Sequence, residues 1–247
     1  MTAAIHVGTA GWSLPRADQW RFEGEGTHLE RYARLLTAAE INSSFYRPHR
    51  AALYEKWAAG VPPDFRFSVK IPKLITHERR LLDCEEPFAE FLDQVAGLGE
   101  RLGCLLVQLP PSLAYDPSLA ESFFAVVRLL HDGPLALEPR HATWFTTPAS
   151  RLMTSYDVAR VAADPARVPA AAVPGGAPTI VYHRLHGSPR IYYSSYDAEA
   201  IAARADLLSA AQGRAVWCIF DNTASGSALP NALDLLERLA VPRATRG

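Results

Sequence analysis

Short apolar runs alternate with amphipathic stretches from one end of the chain to the other, and run after run stops at a polar residue. Residues 4–10 read as a first strand. The spacing of Leu29, Tyr32, Ala33, Leu35 and Leu36 then predicts a helix over 27–37. A strand at 38–43, a helix near 51–60 and a cleanly alternating strand at 65–71 follow, the last stopping before Pro72. Pro87 in the first turn and Gly103 beyond the end bound a helix over 87–101. The run Cys104-Leu105-Leu106-Val107-Gln108-Leu109 is apolar on both faces, as a strand buried in a parallel sheet is, and stops at Pro110-Pro111. The pattern continues with a helix at 117–131, a strand at 135–139, a helix at 148–157 and a strand at 160–164. A strand at 179–186, a helix at 197–211, a strand at 215–221 and a helix at 226–240 complete it.

Strands alternating with helices imply parallel pairing through right-handed crossovers. Eight such units in about 250 residues predict a (β/α)8 TIM barrel, one domain over 1–242 with a frayed tail at 243–247. Residues 165–178 hold four prolines and two glycines and cannot form a regular helix, so a crossover loop takes the place of the sixth helix. An open doubly wound sheet is the runner-up, but no G-x-G-x-x-G or Walker sequence follows the first strand.

In such a barrel the strands' C-terminal ends surround the site. Residues two apart share a strand face, which pairs Glu40 with Asn42, Ser68 with Lys70, Glu138 with Arg140, and Tyr182 with Arg184 and His186. If Ile41, Val69, Leu137 and Leu185 face the helices, the polar sets face the barrel axis. Gln108, Asp164, Asp221 and Asn222 end other strands and join the same ring. One inward ion pair can be a purely structural network, but a ring drawn from so many strands points to a site. Glu138 and His186 are the candidates for proton exchange, His77 just past the third strand is a further candidate catalytic residue, and Lys70, Arg140 and Arg184 suit an anion. Gly187 after His186 would let the backbone approach a ligand closely. Trp12, Tyr46, Trp144, Tyr192, Tyr193 and Tyr196 crowd the rim as aromatic surface for a ligand, with loop packing the alternative reading for most of them.

Composition narrows the reading. With 49% hydrophobic residues the chain can bury a substantial core, and its formal net charge of −1 exerts no global pull toward nucleic acid or an anionic membrane. Scattered Cys84, Cys104 and Cys218, no signal peptide and no apolar membrane span lead us to expect a reduced cytoplasmic protein without a membrane partner. The carboxylates and histidines are suitable divalent-metal donors, but Lys70, Arg140 and Arg184 among them compete, and no metal or other cofactor is expected.

Seven ordered motifs carry a family resemblance. They are Gly8-Thr9-Ala10-Gly11-Trp12, Glu40-Ile41-Asn42-Ser43-Ser44-Phe45-Tyr46-Arg47, Lys70-Ile71-Pro72-Lys73-Leu74-Ile75-Thr76-His77 and Gln108-Leu109-Pro110-Pro111. Glu138-Pro139-Arg140-His141-Ala142-Thr143-Trp144-Phe145, Arg184-Leu185-His186-Gly187 and Phe220-Asp221-Asn222-Thr223 complete the set. Together they resemble the YecE-like family, domain of unknown function 72, over nearly the whole chain. The resemblance implies a TIM barrel with a polar pocket lined by these motifs, and no particular reaction. Asp221 stands where the family commonly has asparagine, Ala10 where it has serine, and Pro139 where it has a bulky residue. The segment between Trp12 and Thr27 lacks the usual aromatic-proline step.

The function expected is an enzyme that binds a small polar or phosphorylated ligand at the barrel mouth and works by acid/base chemistry. A metal-dependent phosphodiesterase on nucleic acid, by fold analogy with endonuclease-IV-like barrels, is the alternative. A non-catalytic binder of nucleic acid or protein is the third, with nucleic acid not favoured at this charge.

Overall fold

The computed structural model describes residues 4–211 and 215–240, so the tail expected at 243–247 lies outside the described residues. Parallel strands run in chain order around a barrel. β1 (Ile5–Ala10), β2 (Ala38–Ile41), β3 (Arg66–Lys70), β4 (Leu102–Gln108) and β5 (Leu135–Glu138) pair successively, and β10 (Ala215–Phe220) joins β1 to β9 (Ile180–Leu185).

The sixth barrel strand closes the ring, and it does so in two pieces. β6 (Val158–Arg160) pairs with β5 on one side, and β7 (Ala162–Asp164) pairs with β9 on the other. Val161 between them still donates to the Leu137 carbonyl at 2.9 Å. Where β9 has not yet reached β6, the two-residue β8 (Gly175–Gly176) pairs antiparallel with it. That strand and a 3-10 turn at Pro169–Ala172 are what the proline-rich crossover contains in place of a sixth α-helix.

The outer layer consists of α1 (His28–Tyr32), α2 (Ser43–Tyr46), α3 (Ala51–Ala59), α4 (Glu85–Val95), α5 (Pro117–Leu130), α6 (Thr147–Ser155), α7 (Ala198–Ala210) and α8 (Ala228–Ala240). Their starts follow local chemistry. Thr27 and Glu30 form a reciprocal capping box, Asp116 precedes Pro117 and accepts from Leu119 N, and Asp197 accepts from Ala200 N.

The helix expected over 27–37 is shortened to α1. The Tyr32 hydroxyl bonds the Ala38 carbonyl at 2.9 Å, and the chain must turn at once to enter β2. The helix expected over 87–101 stops at Val95, and a 3-10 segment kinked at Gly99 (φ 49) finishes the approach to β4. Gly103 does not end that helix. It lies within β4, where an added Cβ would sit 2.5 Å from the Trp217 ring.

Alternation along the strands separates two apolar layers. Ala38, Cys104, Leu106, Ala136, Ala159, Val161, Ile180, Tyr182, Trp217 and Ile219 pack inside the barrel. Ile41, Val69, Leu137 and Leu185 belong to the layer between barrel and helices, as the residue pattern predicts. Tyr182 and Trp217 stack at 5.9 Å and fill the lower barrel. The inner positions that follow along the strands are Glu40, Ser68, Lys70, Gln108, Glu138, Arg184, His186 and Asp221, all buried. The three cysteines are buried and free. No helix among the described residues is long and apolar enough to cross a membrane.

Candidate functional site

Arg184 is the hub of the polar layer. It is 1% exposed and is held on several sides. Nη2 meets Glu40 Oε1 at 2.7 Å and Asp221 Oδ2 at 3.1 Å, and Nε meets Glu40 Oε2 at 3.0 Å. Nη1 donates to Glu138 Oε2 at 3.0 Å. Burial opposes its charge, but Asp221, Glu40 and Glu138 hold its pKa well above the usual guanidinium value. Arg184 therefore ties three carboxylates together and is not available to grip an anion.

Each oxygen of Glu138 accepts two hydrogen bonds. Oε1 takes Arg140 Nε and His186 Nε2, both at 3.1 Å, and Oε2 takes Gln108 Nε2 at 3.1 Å beside Arg184. Burial pushes its pKa up, but Arg184, His186 and Arg140 outweigh it and hold the carboxyl well below its ordinary range. Below this, Glu40 accepts from the Tyr182 hydroxyl at 2.9 Å, which also shares a hydrogen bond with Ser68.

His186 is clamped between two carboxylates, with Nε2 on Glu138 at 3.1 Å and Nδ1 on Asp221 at 2.9 Å. Asp221 is likewise held below its ordinary range, because Arg184 and His186 override its burial. Two ionised acceptors are best met by a donor on each ring nitrogen, which favours the doubly protonated ring. Burial lowers its pKa, yet Glu138 and the bonds to both carboxylates raise it on balance. The His186 ring lines a cavity of about 170 Å³ together with Glu138, Arg140, Arg167 and Tyr192. Tyr192 meets the ring edge-on at 5.9 Å and occupies left-handed backbone (φ 70), a conformation that bulky residues rarely adopt.

Lys70 ends β3, across the barrel from β9 and outside the set of residues that lines this cavity. Its ammonium lies 4.0 Å over the Phe45 ring and makes no ion pair or hydrogen bond among the described residues. Burial, with Arg184 nearby, pulls its pKa down to about 8 against the opposite influence of Glu40, Glu138 and Asp221. His77 meets the same Phe45 edge-on at 5.0 Å, and burial together with Lys70 and Arg140 keeps it below the ordinary imidazole value.

The structure thus gathers Glu40, Lys70, Gln108, Glu138, Arg140, Arg184, His186 and Asp221 at the mouth, with His77 at its edge. It does not gather the rest. Asp164 faces outward, 3.6 Å from Arg204, because Val161 and Ala163 hold the inward positions of that strand. Asn222 follows the inward Asp221, so it points behind the sheet and bonds Ser194 and Asn231. Trp12 turns away after Gly11 (φ 78) and packs on Trp57 and Phe67. Trp144 is 1% exposed and donates Nε1 to Leu113 O. Tyr46 is 72% exposed, and its neighbour Phe45 is the ring over Lys70. Asn42 begins α2 with its Oδ1 buried and unpartnered among the described residues.

Gly187 (φ 93) makes its close approach to Ser194 O of its own loop and to Asn222 just beyond β10. Arg167 lies in a loop, and no periodic pattern marks it, whereas Tyr192, one of the aromatics expected at the rim, lines the cavity. Among the described residues no group of three or more His, Cys, Asp or Glu side chains is placed to hold a metal ion.

The profile of the family described as "Protein of unknown function DUF72" matches residues 6–246. UPF0759 protein YecE of Escherichia coli (strain K12) is 34% identical over 106 residues, covering 43% of this chain and 38% of that protein. UPF0759 protein YunF of Bacillus subtilis (strain 168) is 27% identical over 150 residues, covering 58% and 53%. These matches therefore span about half or less of the curated relatives. A DUF72 family crystal structure from Enterococcus faecalis V583 superposes with a TM-score of 0.80 at 23% identity, covering 97% of both chains. One from Thermotoga maritima MSB8 gives 0.77 at 23% identity, over 96% of this chain and 99% of that one, and both establish likeness of fold. The barrel, its strand-end motifs and a profile match over almost the full length agree that this chain belongs to the DUF72 family.

Proposed function

We propose that the protein is an enzyme that takes a small anionic molecule at the C-terminal mouth of the barrel and acts on it by proton transfer, with His186 as the acid. The observation that carries this reading is the double clamp on His186 beside a cavity lined by Arg140 and Arg167. An imidazolium facing bound ligand is a proton already in place. A ligand oxygen that displaces Glu138 Oε1 from Nε2 receives it. Glu138, saturated by donors, keeps His186 charged and Arg140 oriented and does not itself carry the proton.

Arg140 meets Glu138 through Nε, and a guanidinium has further donors for an oxyanion. A cavity of about 170 Å³ is smaller than the roughly 300–1,000 Å³ of drug-sized pockets, so the ligand has few carbons.

Thermal unfolding with inorganic phosphate, sulfate, acetate and malonate tests this. A ligand at a hundred times its Kd should add about 2.7 kcal/mol. Arg167→Gln, at an exposed position, should leave the unliganded melting temperature alone and weaken the effect. Arg140→Gln should remove it. No stabilisation by any anion, or equal stabilisation of both variants, would contradict the reading.

A further inference from the structure

Lysine is scarce in this chain. Of 25 basic residues only Lys56, Lys70 and Lys73 are lysines. Lys56 and Lys73 are exposed, and Lys73 pairs with Glu78 at 3.0 Å. Lys70 sits at the barrel mouth, 7% exposed, with three carboxylates nearby and an ion pair to none among the described residues.

The reason lies in the partners. Glu40 is bound to Arg184 and Tyr182, Glu138 is saturated, and Asp221 holds Arg184 and His186. Arg184 takes up the negative charge that a buried ammonium would need and adds a cation beside it. An aromatic face at 4.0 Å is the contact left to the Lys70 ammonium. A merely structural lysine has no reason to be buried without a carboxylate, whereas a lysine kept short of counter-ions is an activated amine.

We infer that Lys70 is a nucleophile that condenses with the carbonyl of a small aldehyde or ketone bearing a phosphate or carboxylate, forming an imine at the mouth of the barrel. The inference rests on reading that mouth as an anion site. The neutral amine adds to the carbonyl carbon, making a C–N bond while one N–H proton moves to the carbonyl oxygen. The hydroxyl then leaves with the second N–H proton as water, and C=N replaces C=O. The ligand's anionic group would extend from Lys70 toward Arg140, whose partner Glu138 acts on the Lys70 ammonium. His186 would protonate the departing hydroxyl, the amine proton returning to it afterwards. The pKa near 8 agrees with this geometry, leaving about half of the Lys70 amines neutral at pH 8 against well under a hundredth of ordinary lysines.

The test is reductive trapping of the full chain at pH 8 with sodium cyanoborohydride and, separately, pyruvate, glyoxylate, glyceraldehyde 3-phosphate and dihydroxyacetone phosphate. Intact mass and peptide mapping read the product. One adduct per chain on Lys70, at least roughly tenfold above Lys56 and Lys73, is expected from the difference in neutral-amine fraction. Inorganic phosphate should suppress it, and Lys70→Arg should abolish it. The acid or phosphate arm that labels best identifies the anionic group. Labelling spread over Lys56 and Lys73, or no adduct with any probe, overturns the imine. If phosphate still stabilises the wild-type chain in that case, the anion site stands without it. If phosphate does nothing either, the anion-site reading fails as well.

Discussion

Replacing Arg184 with methionine removes the hub while keeping much of its volume. Glu138 would retain Arg140, His186 and Gln108, and Asp221 would retain His186. Glu40, 0% exposed, would keep the Tyr182 hydroxyl as its one remaining side-chain donor among the described residues. The outcome is one uncompensated buried carboxylate, which costs about 3–5 kcal/mol. At about 2–4 °C per kcal/mol for a domain of this size, Arg184→Met should lower the melting temperature by roughly 6–20 °C. Denaturant titration of Arg184→Met, Glu40→Gln and the double variant isolates the pair. Because Glu40→Gln removes the stranded charge, the double variant should recover more than half of the loss. A loss below about 1 kcal/mol, or no recovery in the double variant, would show that the carboxylates are not held by Arg184 in this way.

Two other substitutions probe the same layer. Folding pulls the Lys70 pKa from 10.5 to about 8, so between those values the unfolded chain holds a proton that the folded chain has released. The burden is thus full below pH 8 and eases as pH rises toward 10.5. Lys70→Met should therefore stabilise the protein at pH 7 by up to about 3 kcal/mol, with the gain shrinking in alkali; a variant less stable than wild type in urea at pH 7 refutes this. Tyr182→Phe takes a buried donor from Glu40 and should cost about 1–3 kcal/mol in the same titration, and a neutral result would mean that this hydroxyl is dispensable.

Much of the site was legible because a barrel strand exposes alternate residues to the axis. Tyr182, Arg184 and His186, or Cys104, Leu106 and Gln108, need only that rule once an apolar neighbour sets the phase. A place at the strand end is not enough without that phase. Asp164 and Asn222 are polar residues at the right end but on the wrong parity, and Gly11 breaks the alternation before Trp12 can use it. Trp144 and Phe45 were decided by packing against Tyr115 and over Lys70, contacts made between distant segments. The helix over 87–101 failed for a related reason. Gly97 lies so close to α3 that an added Cβ would fall 2.4 Å from Ala51 O, and the chain bends there to fit. Fold class and the inward charges were thus written in local periodicity, whereas the division between saturated floor and free cations depends on which partners meet. Glu138 and Arg184 illustrate it: both were expected to meet ligand, and the structure engages both in hydrogen bonds with the protein's own side chains.

The most direct test of the account is the protonation state of His186. In 15N-histidine-labelled protein, ring nitrogen shifts assigned through His186→Gln should show both nitrogens protonated at pH 7. The titration midpoint should lie above the ordinary 6.5, as two ionised acceptors favour. Because the folded pKa is raised, the stability this clamp contributes is complete below pH 6.5 and is lost as pH rises through that midpoint. A neutral ring at pH 7, with one nitrogen unprotonated, would contradict the clamped imidazolium and with it the assignment of His186 as the acid.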